Sequence, residues 1–270
     1  MKITPLAYSN RTLTQNQKMS NPFLPTFGEY ETFEIIKSNK NLIMEELHNF
    51  SGVFRDDAFW DDFSDYLVQN HANGIKVHSA TGSNASEAYT IIMELFDKYP
   101  QVAQNYLPIK VTDISPAPIN SIKSGKIYLS DREKLRMEYC LTSKKMEDFF
   151  ELLPDDNVEN EKHLFKGHNY AIKENLSSNI EASVEDVFKY VKNAENFKEP
   201  VVMLLRNCWY QFTPEAQKEL VEESYKQLKP TSSVVIGSID MIKLPKLLME
   251  QGFNRVNRFV FERPFLNIRG

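Results

Sequence analysis

The stretch IKVHSATGSNASEAYTIIMELF (residues 75–96) begins as a strand and ends as a helix, with a small polar turn between. Ile75, Val77 and Ser79 alternate with Lys76 and His78, the two-residue period of a strand. Ala88, Ile91, Ile92, Leu95 and Tyr99 then recur at helical spacing until Pro100 stops them. The turn is either a plain corner or a place where the backbone meets a ligand. The rest of the chain decides between the two.

Outward from this unit the same alternation of elements returns. LPIKVTDIS (107–115) reads as a second strand, followed by a short helix that leads to Gly125. PVVMLL (200–205) is a buried strand. Thr213 N-caps the next helix with Pro214 at its first position, and Ala216, Leu220, Val221, Ser224 and Leu228 line one face before Pro230. SSVVIGS (232–238) is another buried strand, LPKLLMEQ (244–251) a helix closed by Gly252, and RFVFER (258–263) a last strand. Strands and helices in this order predict an α/β sheet with right-handed crossovers.

On the amino side, Phe59, Phe63, Tyr66 and Leu67 share one helix face, with Asp56 and Asp57 in the first turn, where the helix dipole favours acids. Phe33, Ile36, Leu42, Ile43 and Leu47 suggest an earlier helical piece, and residues 1–30 read as a polar arm. Residues 126–170 hold a charged helical piece, FFELL, the acidic loop PDDNVENE, and HLFKGHNYAI, read as two short antiparallel strands. The expected division is an arm and short helical segment over 1–48 and one main domain over 49–270, with 126–170 as an inserted subdomain.

The totals fit a globular protein of 270 residues, 41% hydrophobic and 26% charged. A net charge of -5 gives no electrostatic support for nucleic-acid binding. No apolar run is long enough to cross a membrane, and Met1 to Ser20 lacks the apolar core of a signal peptide. Cys140 and Cys208 lie far apart and match no metal or redox spacing, which fits a reducing, cytoplasmic location. The histidines, His48, His71, His78, His163 and His168, form no ligand pair on one helix, so no metal is expected.

In such sheets ligands bind beyond the carboxyl ends of the strands. Asp113 closes the second strand, where a carboxylate can accept both ribose hydroxyls of a nucleoside; it can equally cap the helix that follows. Gly82, with small neighbours Ala80, Ser83 and Ala85, allows a close backbone approach. The turn lacks both the dinucleotide glycine pattern and a P-loop lysine, so a phosphate-free nucleoside suits it better than a diphosphate. Glu87 can pair with a ligand amino group or simply offset the helix dipole. Asn207 follows an apolar strand and either orients a ligand or ties down its own turn, and Arg206 beside it can equally be a solvated surface charge.

Read together, these segments resemble the CheR-type S-adenosylmethionine-dependent protein-glutamate methyltransferases of bacterial chemotaxis. NFSGVFRDDAFW is similar to the family's N-x-T-x-F-F-R-(D/E)…F segment, with Asn49, Ser51, Phe54 and Arg55 in register. HSATGSNASEAYT is similar to S-A-x-x-S-T-G-E-E-P-Y-S, keeping Ser79, Ala80, Ser83, Glu87 and Tyr89. VTDIS resembles A-T-D-I-S, YAIKENL resembles V-x-F-x-x-x-N-L, and LLRNCWYQF resembles F-C-R-N-V-x-I-Y-F. QLKPTSSVVIGSID is similar to L-L-K-P-G-G-x-L-x-x-G-x-S-E, and GFNRVNRFVFER to the family's closing hairpin. The similarity runs in order from Asn49 to Arg263.

The resemblance implies a Rossmann-like class I methyltransferase sheet and S-adenosylmethionine as methyl donor, leaving S-adenosylhomocysteine. It implies donor contacts from Asn49, Ser51, Arg55, Ala80, Glu87, Asp113, Asn175, Leu176, Asn207 and Cys208. Arg55 and Glu87 would hold the amino-acid end, Asp113 the ribose, Asn175 and Leu176 the adenine. Arg55, Asn207 and Tyr210 are the candidates nearest the chemistry, and Phe54, Trp209 and Tyr210 could face the cationic sulfur. The acceptor would be a protein carboxylate on a receptor-like or signalling partner, without nucleic acid or membrane insertion.

Several positions depart from the pattern. Ala85 replaces a glycine, Ser86 a glutamate, and Gln211 the tyrosine of I-Y-F, with Tyr210 displaced by one. Gln69, Asn70 and His71 replace an expected basic residue, and Thr231 and Ser232 replace a glycine pair. These departures leave a second reading open: a catalytically silent module that binds the donor or its demethylated product. A nicotinamide-dependent oxidoreductase is disfavoured by the missing glycine fingerprint.

Overall fold

The computed structural model describes residues 51–154 and 166–265. The expected arm, the helical piece over 32–47, Asn49 and most of the acidic loop lie outside these residues. Helix α1 (Asp57–Asn70) leads to β1 (Lys76–Ser79) and α2 (Ser86–Lys98), then β2 (Ile109–Asp113) and α3 (Pro116–Lys123). A smaller unit follows: β3 (Lys126–Ser130), α4 (Asp131–Cys140), β4 (Phe150–Leu152) and β5 (Gly167–Ile172). The chain returns through α5 (Glu174–Ser177), β6 (Ile180–Val184) and α6 (Val187–Lys192). It closes with β7 (Val201–Leu205), α7 (Pro214–Gln227), β8 (Ser233–Ile236), α8 (Leu244–Gln251), β9 (Asn254–Arg255) and β10 (Val260–Glu262).

The main sheet has seven strands in the order β6-β2-β1-β7-β8-β10-β9. The five from β6 to β8 are parallel, whereas β10 runs antiparallel to both of its neighbours. This is the Rossmann-like class I methyltransferase sheet that the resemblance implies. The order reverses between β1 and β7, which places the switch point at the carboxyl ends of these strands. Val202, Met203, Leu204 and Val235 are buried there, as expected of strands covered by helices on both faces. His78 sits inside the same sheet, where its Nε2 meets Thr112 Oγ1 at 2.8 Å, and burial holds its pKa well below the usual imidazole value.

Local signals act as read. Thr213 Oγ1 accepts from Ala216 N at 3.2 Å with Pro214 in the first turn of α7. Gly252 ends α8 at φ 113, and a Cβ there would press within 2.9 Å of the Tyr225 hydroxyl.

Two findings differ from the sequence reading. HLFKGHNYAI does not supply two described strands: β5 is one strand, flanked by β3 and β4 in a three-stranded antiparallel sheet. IEASV, read as no element, is the edge strand β6, whose mixed exposure hides the pattern of a buried strand.

The small sheet is tied to the main one through Asp97 near the end of α2. Its carboxylate accepts from the backbone N–H groups of Thr142, Ser143 and Lys144 at 2.6–2.9 Å, and from the Thr142 and Ser143 hydroxyls. Burial opposes its ionisation, but these donors outweigh that and hold its pKa below the ordinary 3.8. A depressed acid stabilises above its unfolded pKa and ceases to do so as pH falls through the folded value. Asp97→Asn should therefore cost about 2–3 kcal/mol in urea unfolding at pH 7. The difference from the parent should shrink below pH 4; an equal difference at pH 3 would exclude the ionised acceptor.

Candidate active site at the carboxyl edge of the sheet

The turn after β1 is held by strand ends rather than by its own side chains. Ala80 N–H donates to Leu204 O at 3.0 Å, and Gly82 N–H to Thr112 O at 2.8 Å. Gly82 itself is required by packing, since a Cβ there would lie 2.5 Å from Val111 Cγ1. The packing of the corner by itself demands a glycine there. Ser83 and Ala85 adopt φ 48 and φ 65, a left-handed backbone that costs a non-glycine residue about 1–2 kcal/mol. The same conformation recurs at Phe54, Asp56 and Asn207, close to the same edge. Strain in such residues persists only where the surroundings fix it.

Asp113 is buried at the tip of β2. Oδ2 accepts from Ser83 N at 2.9 Å and Oδ1 from Ser115 N at 2.9 Å. The capping reading is thus realised in part, and each oxygen still has a lone pair for one further donor. Burial is the dominant influence and raises its pKa to about 6, against the two amide bonds. A vicinal diol would bring the two hydroxyl donors that this carboxylate lacks.

The second corner is a buried charge cluster. Arg206, only 4% exposed, lies over the rings of Phe59 and Trp60 at 3.9 and 4.5 Å. Its Nη1 donates to Glu87 Oε1 at 2.8 Å and its Nη2 to Asp56 Oδ2 at 3.1 Å. Arg55 Nη2 reaches the same Glu87 oxygen at 3.4 Å. Burial pulls the Arg206 pKa down, opposed by Glu87 and Asp56. Arg206 is therefore no solvated surface charge: it fixes the beginnings of α1 and α2 against the end of β7. Asp56 serves this arginine and accepts from Ser238 Oγ at 3.2 Å; its side chain makes no cap to α1.

Asn207 occupies the next position at φ 55. Its backbone N–H donates to Asp240 Oδ2 at 2.6 Å, which also accepts from Gly237 N at 2.9 Å. Asn207 Oδ1 accepts from Ile239 N at 3.3 Å, and a Cβ on Gly237 would strike the Asn207 amide at 2.1 Å. Asn207 thus does tie down its own turn, binding the ends of β7 and β8 together. Asp240 was not expected from the sequence; burial raises its pKa to about 6. Cys208 is buried, and desolvation, then the Asp240 charge, push its thiol pKa up.

The structure brings Arg55, Ala80, Glu87, Asp113, Asn207 and Cys208 to one edge, with half-buried Ser51 just before Gly52. Asn175 and Leu176 are not there. They precede β6, where Asn179 O accepts from Ile109 N at the opposite end of β2 from Asp113. Five residues of strand put them about 13 Å from the site along the sheet. Asn175 instead donates to Asp148 O at 3.1 Å, and Leu176 is packed in the core. Beside Asp113 stand the residues after β6: Glu185 N–H donates to Asp113 O at 3.0 Å, followed by Asp186 and Val187. A spacing signal existed, since I-E-A-S-V-E-D-V keeps the period of V-x-F-x-x-x-N-L. Phe54 and Trp209 are also corrected: both are core residues, Trp209 Nε1 donating to Leu205 O at 2.6 Å.

Truncating one partner of a buried ion pair strands the others. Arg206→Leu should lower stability by about 3–5 kcal/mol, read by denaturant unfolding. Arg206→Lys should recover less than half, because an ammonium cannot fork to two carboxylates while stacking on two rings.

An O-methyltransferase family protein from Burkholderia thailandensis is 11% identical, with 77% of this chain and 59% of that chain covered and a TM-score of 0.38. Human N-acetylserotonin methyltransferase, solved in complex with S-adenosylmethionine, is 10% identical over 77% of this chain and 53% of that one, at a TM-score of 0.36. A putative sarcosine dimethylglycine methyltransferase from Galdieria sulphuraria is 10% identical over 84% and 74%, at 0.40. The chain spans less than two thirds of the first two, and similarities this low add no weight beyond the strand order. No curated protein is matched. The family description "CheR methyltransferase, SAM binding domain" matches residues 49–254, more than half of the chain. The chain belongs to the CheR methyltransferase family.

Proposed function

We propose that this protein transfers a methyl group from S-adenosylmethionine to a protein carboxylate, in the manner of a glutamate methyltransferase. The observation that carries the reading is the pairing, along one turn, of Asp113 with its two unfilled acceptor positions and Glu87 with its two arginines. The donor's parts fit these residues. Arg55 and Glu87 suit a carboxylate and an ammonium, Glu87 Oε2 accepting no hydrogen bond among the described residues. Asp113 suits the ribose diol. The adenine side passes from Asn175 and Leu176 to Asp186 and Val187, which keep the family spacing and lie beside Asp113.

Bound S-adenosylmethionine would supply a sulfonium methyl: an acceptor carboxylate oxygen would bond to that carbon in line as the C–S bond breaks, its electron pair staying on the departing thioether sulfur. A carboxylate acceptor is already ionised at neutral pH, so these residues need move no proton. Their work is placement: Arg55 and Glu87 fix one end of the donor and Asp113 the other, and Asn207 holds the rim between them. Proximity and alignment supply the acceleration. Receptor-like or signalling proteins are the acceptors that the family membership favours, with a role in chemotaxis.

A donor-binding module without transfer remains a second reading, favoured by one observation. Gln211, at the position of the family tyrosine, is buried with Oε1 unpartnered among the described residues, and Tyr210 beside it is 38% exposed. Incubation with methyl-labelled donor and cell extract separates the two. Base-labile label on protein supports carboxyl methylation, and binding without transfer supports the silent module.

Calorimetry tests the pocket. Asp113→Ala should abolish donor binding, whereas Asn175→Ala should leave it unchanged. Hydroxyl donors favour the ionised form of Asp113, whose pKa without ligand is raised to about 6. Donor affinity should therefore fall as pH drops from 7 to 5. Asp240 titrates over the same range, so the comparison is Asp113→Asn, in which any remaining slope belongs to Asp240.

A further inference from the structure

The turn after β8 carries exposed apolar side chains at the mouth of the candidate site. Ile239 to Ile242 form a single 3-10 turn, in which residues three apart lie above one another on one face. Ile239 is 59% exposed and Ile242 89% exposed, while Asp240 between them is buried as the clamp on Asn207. The buried acid fixes the turn, and the turn in consequence presents both isoleucines outward. Tyr210, after β7, is half-exposed on the neighbouring strand end. Ile239 N–H contacts Asn207, and Ser238 Oγ contacts Asp56, so this surface begins where the donor cluster ends.

Two further features distinguish this patch from scattered surface residues. Ile239 stands where the family pattern G-x-S-E has serine, so this position carries an apolar side chain in place of a hydroxyl. Lys243, the next residue after Ile242, is exposed and makes no ion pair among the described residues. Lys246, one turn further along, pairs with Glu250 at 3.6 Å, and the arginines of the donor cluster, Arg55 and Arg206, pair with Glu87 and Asp56. The rim thus offers two isoleucines and an aromatic ring beside one uncommitted positive charge.

We propose that Ile239, Ile242 and Tyr210 form the acceptor-docking rim, and that it selects a protein segment with large apolar side chains beside the methyl-accepting glutamate and an acid within reach of Lys243. This rests on the methyltransferase reading and adds the substrate class. The apolar side chains of the segment cover the isoleucines, and its acidic charge meets the lysine. Small molecules and unflanked glutamates lack the area to do so.

The test uses the full chain with saturating S-adenosylhomocysteine and two fluorescein-labelled 15-residue peptides. Both carry the same central glutamate and one further acid; one flanks the glutamate with leucines, the other with serines. Anisotropy should show at least tenfold tighter binding of the leucine peptide. The double variant Ile239→Ser/Ile242→Ser should lose that preference, and Lys243→Glu should weaken the leucine peptide at least threefold at low salt. Calorimetric affinity for S-adenosylhomocysteine should stay within twofold in both variants. Equal binding of the two peptides, binding of neither, or a preference surviving in the double variant overturns the proposal. A change in sedimentation of the double variant also overturns it, assigning the rim to a second copy of the chain. Loss of nucleoside binding by the parent protein would instead remove the methyltransferase reading itself.

Discussion

A single buried guanidinium organises the functional edge of this protein. Arg206 is withdrawn from water, and the cost of that withdrawal is offset only because two carboxylates and two aromatic faces meet it together. Glu87 starts α2, Asp56 immediately precedes α1, and Arg206 ends β7, so one ion fixes three elements at once. The position of α1 over the sheet, and with it Arg55, follows from this contact. Replacing the cluster by apolar groups could serve folding equally well, but would remove the charges proposed to meet the donor's amino-acid end.

The division between cluster and strand tip gives the site its chemistry. At the cluster, opposite charges are matched. At Asp113, among the described residues, no cation balances the carboxylate and only amide donors approach it. A neutral, hydroxyl-bearing ligand suits the second environment, and a zwitterion suits the first. Between them, the clamp of Asp240 on Asn207 and Gly237 holds two parallel strand ends at fixed spacing. Each left-handed residue nearby is kept in place by such an external contact rather than by its own preference.

Much of this was legible in the sequence, for identifiable reasons. The buried strands β7 and β8 announce themselves as apolar runs, and α7 by Thr213 and Pro214. Asp113 and Glu87 were legible as candidates from their places at a strand end and a helix start, although capping and dipole compensation stayed open for them. Arg206 was not, since nothing in a sequence tells whether an arginine finds rings and carboxylates from elements far along the chain. The edge strand β6 was missed because one of its sides faces water and only β2 borders it, so its composition is that of a loop. That omission drew the adenine expectation to the Asn-Leu pair at 175 and 176, which lies at the opposite end of β2 from Asp113.

The lone neighbour of β6 bears on how a product leaves. In the main sheet β2, β1, β7 and β8 are each zipped on both sides, whereas β6, at one margin, pairs with β2 alone among the described residues. Amides of β6 should accordingly exchange with solvent faster than those of β1 or β7. If its following turn forms the adenine wall, then the nucleoside is held between one rigid jaw and one that breathes. Release of the spent nucleoside can proceed by a brief unzipping of that margin, leaving the ion cluster at the other end undisturbed.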